Sequence, residues 1–200
     1  MKEIGSVKFG CDQVAVQLAP FAGFAELNRY RRKLVDLGLI GVDANGVGFG
    51  NVSVRDGASA QFYITGSATA GLPELTPADC AKVIAWDFAR NWLRYEGLIV
   101  ASSESLTHAA VYESDPTARA VIHCHDTKLW AALLNKAPTT PGSVEYGTPE
   151  MADAVRRLFE TTDVKTKKIF VMAAHDGGIV TFGKDLPEAF GVLEHQRSDE

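Results

Sequence analysis

Two histidines, His123 and His125, follow a short apolar run and are separated by a single residue. The run Ala120-Val121-Ile122 predicts a β-strand, and side chains along a strand alternate between its two faces. We therefore expect His123 and His125 to point to one side and Cys124 to the other. Two imidazoles held side by side are a ready pair of metal ligands. Two unrelated histidines, one buried and one at a strand end, are the simpler alternative, but the pattern favours metal.

A third histidine, His175, follows the apolar stretch 168–174 and precedes the turn Asp176-Gly177-Gly178. It is predicted to lie at a strand end, where it can join the first two. Three neutral imidazoles bind a divalent transition ion, with Zn²⁺ the preferred choice and another such metal the alternative. Glu104 is the candidate for a fourth ligand or for a nearby base that moves a proton to and from carbon.

The residues beside Glu104 predict an anion site. Ser102 and Ser103 precede a predicted helix over residues 104–113, of which Ser103 is the expected N-cap. Free backbone N–H groups, two hydroxyls and the helix dipole converge at such a helix start. For Ser103 alone a simple cap is a serious alternative, whereas the pair together with Glu104 favours anion binding.

Two further polar pairs stand at predicted strand ends. Gly50-Asn51 precedes the alternating strand Val52-Ser53-Val54-Arg55, and Thr65-Gly66 ends the strand that begins at Gln61. Backbone N–H groups can point outward at such ends, although each pair alone is typical of an ordinary turn. Loops that hold a phosphate next to a metal and a base indicate carbon-acid chemistry on a phosphorylated hydroxyketone.

The elements that must position these residues alternate between strand and helix patterns. Residues 21–37 and the segment after Thr148 carry apolar stripes with helical spacing, and Thr76-Pro77-Ala78-Asp79 has the signals of a helix start. The residues on both sides of Asp176 predict a β-hairpin. Further predicted strands cover 82–88 and 92–100, and further helices cover 127–135 and the residues after Asp185. This mixture predicts helices packed on the faces of a largely antiparallel or mixed sheet.

Composition narrows the class of protein. The chain has 200 residues, of which 46% are hydrophobic and 22% charged, which suits one compact domain over residues 1–200. A formal charge of −5 argues against nucleic acid or an anionic membrane as partner. We expect no membrane span and no signal peptide. The three widely spaced cysteines Cys11, Cys80 and Cys124 form no disulfide framework, which predicts a reducing, cytoplasmic location.

Several short motifs occur along the chain in a definite order. They are Gly50-Asn51-x-Ser53-x-Arg55, Ile64-Thr65-Gly66, Ala101-Ser102-Ser103-Glu104, His108, Val121-Ile122-His123-Cys124-His125, Gly147-Thr148 and His175. As an ordered set, over roughly residues 22–195, they resemble the class II aldolase/adducin family, and within it the small sugar-phosphate enzymes of the fuculose-phosphate aldolase type.

This resemblance implies a fold, a cofactor and a role for each site residue. The implied fold is an α/β domain with three layers, α/β/α, around a central mixed and largely antiparallel sheet. One Zn²⁺ per chain is implied, with His123, His125 and His175 as ligands. Glu104 corresponds to a glutamate that binds the metal and then acts as acid and base. The residues that correspond to the phosphate-binding loops are Gly50, Asn51, Thr65, Gly66, Ser102 and Ser103.

The function implied is a Zn²⁺-dependent aldolase. It would reversibly cleave a ketose 1-phosphate to dihydroxyacetone phosphate and an aldehyde through a metal-stabilised enediolate, as a homo-oligomer that is expected to be a tetramer. A pentulose-phosphate 4-epimerase, a sugar-phosphate dehydratase and a non-catalytic adducin-like module are the alternatives. Retention of all three histidines and of Glu104 favours an enzyme.

Two departures from the family pattern concern the site. Similar aldolases have glycine directly after the third histidine, whereas Asp176 stands between His175 and Gly177. An extra residue there either shifts the imidazole or lengthens the turn. Similar aldolases also use a tyrosine from a neighbouring subunit, but residues 126–145 contain no tyrosine. Tyr146 is the nearest, and the sequence does not assign it that role.

Overall fold

A mixed sheet of eight strands forms the centre of the molecule in the computed structural model, which describes residues 7–198. In chain order the elements are β1 (Gly10–Val14), α1 (Phe24–Asp36), β2 (Gly41–Val42), β3 (Gly48–Phe49), β4 (Asn51–Arg55), β5 (Phe62–Thr65), a 3₁₀ turn (Pro77–Asp79), β6 (Cys80–Asp87), β7 (Trp92–Glu96), α2 (Ser105–Ser114), β8 (Ala120–His125), α3 (Thr127–Leu133), α4 (Pro149–Thr161), α5 (Val164–Lys167), β9 (Ile169–Val171), β10 (Gly178–Gly183) and α6 (Leu186–Ser198).

The strands lie in the order β1-β7-β6-β5-β4-β8-β10-β9, and β2 and β3 form a separate small ribbon. Every neighbouring pair in the large sheet is antiparallel except β1 and β7, which are parallel. The sheet is therefore mixed and largely antiparallel, as predicted.

Apolar side chains extend from both faces of the sheet and pack against helices. On one face, α2 and α4 bury residues such as Leu106 and Val155 against Val121 and other strand residues. On the opposite face, α1 and α6 bury residues such as Leu27 and Leu193 against a second set that includes Ile122. Neighbouring residues of β8 thus enter different cores, as the alternation of side chains in a strand requires. The result is the predicted three-layer α/β/α arrangement.

Some local predictions need correction. Helix α2 begins at Ser105, with Glu104 as the N-cap residue, so the prediction that Ser103 caps a helix from Glu104 is wrong. The helix start is tied instead by Ser105, whose backbone N–H and hydroxyl both donate to the Ser102 carbonyl. The helix predicted after Thr76 is a single 3₁₀ turn closed by hydrogen bonds to Asp79, because strand β6 begins immediately afterwards.

Residues 1–20 show little periodicity in the sequence, but Gly10–Val14 form strand β1 in the structure. β1 runs parallel to β7 at the edge of the sheet, and its side chains are mostly exposed. The prediction that there is no signal peptide depends partly on residues 1–6, which lie outside the described part of the chain. Within residues 7–198 no helix is both long and apolar enough to span a membrane.

Pairing of the strands gathers the polar residues at one end of the sheet. Because β8 is antiparallel to β4 and β10, its last residues meet the first residues of both neighbours: His123 lies opposite Asn51, and His125 opposite Gly178. An isolated bridge between Gly66 and Ala101 brings the end of β5 beside the segment that leads into α2.

Candidate metal centre and adjoining cavity

His123, His125 and His175 form a compact cluster. Each offers a ring nitrogen, and these three atoms all lie within 4.8 Å of one another. The Nε2 atoms of His125 and His175 are 2.9 Å apart, which is shorter than the spacing of about 3.3 Å between two nitrogens of a tetrahedral zinc site. Histidine, cysteine, aspartate and glutamate side chains can all bind a metal ion. Among the described residues of these four types, the three histidines are the group that lies close enough together to share one.

Strand pleating and one turn produce the cluster. His123 and His125 lie on the same face of β8, whereas Cys124 is buried in the core on the opposite face, as predicted. His175 stands in the turn between β9 and β10, where the Gly178 N–H donates to its carbonyl at 2.7 Å. A β-carbon at Gly178 would lie 2.6 Å from His175 Cδ2, so the close ring requires glycine. The turn thus accommodates Asp176 while His175 still joins the pair.

All three imidazoles are neutral over a wide range of pH. Burial is the main cause, and it lowers the pKa of His125 to about 4 and that of His175 to about 3. The pKa of the deeply buried His123 is also lowered by burial, and its Nδ1 lies 3.3 Å from the Ile179 carbonyl. When Nδ1 donates its proton to that carbonyl, the lone pair of Nε2 is free to bind a metal ion. Three neutral nitrogen donors of this kind fit a zinc ion.

Glu104 is buried in the wall beside the histidines, with 2% of its surface exposed. Burial raises the pKa of its carboxyl group to about 7, although a hydrogen bond from Thr107 and the charge of Lys8 both lower it. Its Oε2 accepts from the Thr107 hydroxyl at 2.6 Å, and its Oε1 has no partner. The carboxylate is not part of the cluster of atoms within 4.8 Å, so its arrangement suits a neighbouring acid or base better than a fourth ligand.

A cavity of about 300 Å³ opens over the cluster. Five of the six predicted phosphate-binding residues line it, namely Gly50, Asn51, Gly66, Ser102 and Ser103. Thr65 does not: it is 3% exposed, and its hydroxyl accepts from the Val52 N–H at 3.2 Å. Asn51 Oδ1 is buried without a partner, so the wall contains an unused hydrogen-bonding atom near the metal ligands.

The cavity also contains residues that the sequence patterns did not reveal. Ser67 and Ala68 line it from the loop after β5, and Ala68 has a φ of 61°. Tyr146 lines it from the loop before α4, with its ring centroid 4.4 Å from that of His175. These positions depend on long-range packing of loops, so no local periodicity points to them.

His108, which shares a helix face with Glu104, lies outside the cluster. Its Nδ1 is 2.7 Å from the Ser53 hydroxyl, which is 2.8 Å from the Tyr112 hydroxyl. Burial lowers the pKa of His108 to about 3, and its Nε2 has no partner. These three side chains form a buried polar network that joins β4 to α2. Ser53 and His108, which belong to the ordered motifs of the sequence, therefore have a structural role.

Comparisons with known proteins agree with the observed fold. Residues 29–197 match the family described as "Class II Aldolase and Adducin N-terminal domain". A solved L-fuculose 1-phosphate aldolase is 23% identical, with a TM-score of 0.65 over 91% of this chain and 84% of that one. The L-fuculose-1-phosphate aldolase of Thermus thermophilus is 24% identical, with a TM-score of 0.61 over 88% and 89%. A sugar-phosphate aldolase from Thermotoga maritima is 18% identical, with a TM-score of 0.64 over 88% and 90%. No curated protein sequence matches the chain.

Proposed function

The chain belongs to the class II aldolase and adducin family, and on this premise we propose that it is a metal-dependent aldolase that acts on a sugar phosphate. In this proposal it reversibly cleaves a ketose 1-phosphate to dihydroxyacetone phosphate and an aldehyde, with one Zn²⁺ per chain. One observation carries the proposal: three neutral imidazoles and a buried carboxyl group face the same cavity, whose wall also contains Asn51, Ser102 and Ser103.

Each part of the cavity has a task in this reaction. Zn²⁺, when held by His123, His125 and His175, supplies positive charge that polarises the carbonyl group of the substrate. Glu104 takes a proton from the carbon beside that carbonyl in the direction of synthesis and returns it in the direction of cleavage. A base works best when its pKa lies near the working pH, and burial raises the pKa of Glu104 to about 7.

The substrate phosphate is held by the polar wall in this proposal. The residues concerned are Gly50, Asn51, Gly66, Ser102 and Ser103, with Thr65 supporting Val52 from behind rather than lining the cavity. Backbone N–H groups and hydroxyls at strand and helix ends bind phosphate without a large side chain. The same wall buries the phosphate end of the substrate and so fixes the reacting carbon relative to Glu104.

A second acid is needed for the aldehyde oxygen. Tyr146 stands in the cavity wall, close to His175. The family resemblance suggests instead a group from a neighbouring subunit, and we therefore propose a homo-oligomer, with a tetramer expected. A cytoplasmic location is proposed as well, because Cys11, Cys80 and Cys124 are all free thiols.

Proton exchange in D₂O tests the proposal without knowledge of the aldehyde. The zinc-loaded protein is expected to remove one C–H signal of dihydroxyacetone phosphate from the proton NMR spectrum. The Glu104→Gln variant is expected to lose this exchange at unchanged metal content, because an amide cannot accept the proton. Glu113→Gln, on the same helix but at the surface, serves as the matched control and is expected to exchange at the wild-type rate.

The outcomes separate the candidate functions. Exchange that depends on metal and on Glu104 supports the aldolase and argues against a dehydratase or a structural module. A fully metallated protein that leaves every C–H signal in place would contradict the aldolase and favour the epimerase or dehydratase. Absence of metal binding as well would favour a non-catalytic adducin-like module.

A further inference from the structure

Among the described residues that line the cavity, none is a lysine or an arginine. Among the described residues that line it, the charged or ionisable ones besides histidine and tyrosine are Asp43, Glu104 and Asp176, all acidic. A sugar phosphate carries about two negative charges near neutral pH, and acidic walls repel it. A cation close to the cavity but outside its lining residues would therefore strengthen the binding of such a substrate by the backbone N–H groups and hydroxyls of the wall.

Lys8 is a cation held against this wall. Its Nζ lies 4.1 Å from the ring centroid of Tyr146, whose ring packs on His175 with a centroid distance of 4.4 Å. The aliphatic part of Lys8 approaches Gly147, where a β-carbon would lie 3.5 Å from Lys8 Cδ and 3.6 Å from the Ser103 carbonyl oxygen. The positive charge of Lys8 is one of the smaller contributions to the lowered pKa of His175, and it also lowers that of Glu104.

The backbone of Lys8 is fixed at this position by side-chain hydrogen bonds. The Asn91 amide donates to the Lys8 carbonyl at 2.9 Å and to the Gly147 carbonyl at 3.3 Å. Gly10, the first residue of β1, donates to the Asn91 carbonyl at 2.8 Å. Asn91 thus joins the segment that carries Lys8 to the loop that carries Tyr146, so the lysine has a defined place beside the cavity.

The ammonium group keeps capacity for a further partner. Nζ donates to Glu145 Oε2 and to the Tyr146 carbonyl, each at 3.1 Å, which leaves one of its three N–H donors unassigned. The Glu145 side chain is 75% exposed, and an ion pair with so exposed a carboxylate contributes little. Exchange of Glu145 for a substrate oxyanion therefore costs little.

We propose that Lys8 is a substrate-binding residue of this site, whose ammonium group attracts and hydrogen-bonds the phosphate of the substrate. The inference rests on the proposed function for its substrate class. Lys8 lies outside residues 29–197, over which the family model matches. It supplies the positive charge that the acidic lining residues lack.

Calorimetric titration of the zinc-loaded protein tests this role, with dihydroxyacetone phosphate and inorganic phosphate as probes and uncharged dihydroxyacetone as the reference. Lys8→Gln is expected to weaken binding of both phosphates on the order of ten- to a hundredfold, the range for a hydrogen bond to a charged group, and to leave dihydroxyacetone unchanged. Lys8→Arg is expected to retain most of the affinity, since it keeps the charge.

Lys82→Gln is the matched control, because Lys82 has similar contacts to those of Lys8. Its ammonium group pairs with the Asp56 carboxylate at 2.8 Å and lies 5.4 Å from the ring centroid of Tyr63. The Lys82→Gln variant is expected to bind phosphates as the wild type does. Equal phosphate affinity of Lys8→Gln and wild type, at equal melting temperature and zinc content, would overturn the role of Lys8 and leave the aldolase proposal intact. Lys8-dependent binding of inorganic phosphate without binding of dihydroxyacetone phosphate would support Lys8 and contradict the proposed substrate.

Discussion

At the scale of single residues, burial determines the chemistry of this site. It holds the three clustered histidines neutral, since protonation of a buried imidazole is unfavourable, and it keeps the Glu104 carboxyl group close to half-ionised near neutral pH. The same physical cause thus prepares nitrogen lone pairs for a metal and a carboxylate for proton transfer. Charged neighbours make smaller contributions.

The first prediction concerns metal content. His123→Ala is expected to reduce the divalent metal bound by purified protein from about one ion per chain to a small fraction of that, because two imidazoles remain where three are needed. Elemental analysis of protein purified without added chelator measures this. His195→Ala is the control, since His195 is exposed on α6 and is not part of the cluster. Equal metal content in wild type and His123→Ala would remove the cluster as the metal site.

Sequence reasoning predicted these residues where a short-range rule applies. The period of two in a strand places His123 and His125 together and sends Cys124 to the opposite core, where burial raises the pKa of its thiol to about 12. It failed at Ser103, because several polar residues in a row all have cap character and the chain alone does not decide which one begins the helix. It could not assign Tyr146, whose place beside His175 depends on the packing of a distant loop.

At the scale of elements, the start of β4 controls the distance between the cavity wall and the metal ligands. Gly50, immediately before β4, has a φ of 76°. A β-carbon there would lie 2.7 Å from Ile40 Cγ1 and 3.1 Å from the His123 carbonyl oxygen. A side chain at this position therefore requires Ile40 to shift and the His123 carbonyl of β8 to move by a few tenths of an ångström.

Gly50→Ala is predicted to destabilise the protein by roughly 2–4 kcal/mol, because strain from the positive φ adds to the steric overlap. Gly46→Ala is the matched control: its φ is 80°, but a β-carbon would meet nothing within 4 Å. It is expected to cost about 1 kcal/mol, from backbone strain alone. Chemical denaturation of both variants measures the difference. Equal losses of stability would show that the close packing of Gly50 against Ile40 and the His123 carbonyl has no energetic importance.

The elements that the sequence predicted well are those with strong periodicity. The strand before His125, the hairpin around Asp176 and the helix after Thr148 all occur, because alternation or a helical stripe matches their burial. β1 was not predicted, since its side chains are mostly exposed and show no alternation. Its pairing with β7 depends on residues about 80 positions apart, which a local pattern does not contain.

At the scale of the whole molecule, the proposed assembly is a homo-oligomer with its cavity near a subunit interface. Light scattering coupled to size-exclusion chromatography is expected to give a mass about four times that of the 21.6 kDa chain. Aldol cleavage activity is expected to fall on dilution once subunits separate, because the second acid, which serves the aldehyde oxygen, would then be lost. A monomer that retains full activity would contradict the assembly and direct attention to Tyr146 instead.

The buried site also makes the stability of the metal-free protein depend on pH in two opposing ways. Burial lowers the pKa values of His108, His125 and His175 to about 3–4 in the folded protein. In the unfolded chain these histidines have a pKa of 6.5, so below pH 6.5 the unfolded chain binds more protons than the folded protein. Their effect is that stability falls as the pH is lowered from 6.5. Glu104 acts in the opposite sense, because its pKa rises from 4.5 to about 7 on folding, so stability falls as the pH is raised through that window.

The Glu104→Gln variant separates the two effects. Gln can still accept the Thr107 hydrogen bond but has no charge to bury, so the metal-free variant is expected to gain stability over the wild type as the pH rises from 4.5 to 8. The gain is up to ~3 kcal/mol, since each unit of pKa shift corresponds to about 1.4 kcal/mol. Melting temperatures of chelator-treated protein across that pH range measure it. Both proteins should still lose stability together below pH 6.5, because the histidines are unchanged. A constant difference between the two proteins at every pH would mean that Glu104 carries no buried charge in the metal-free state.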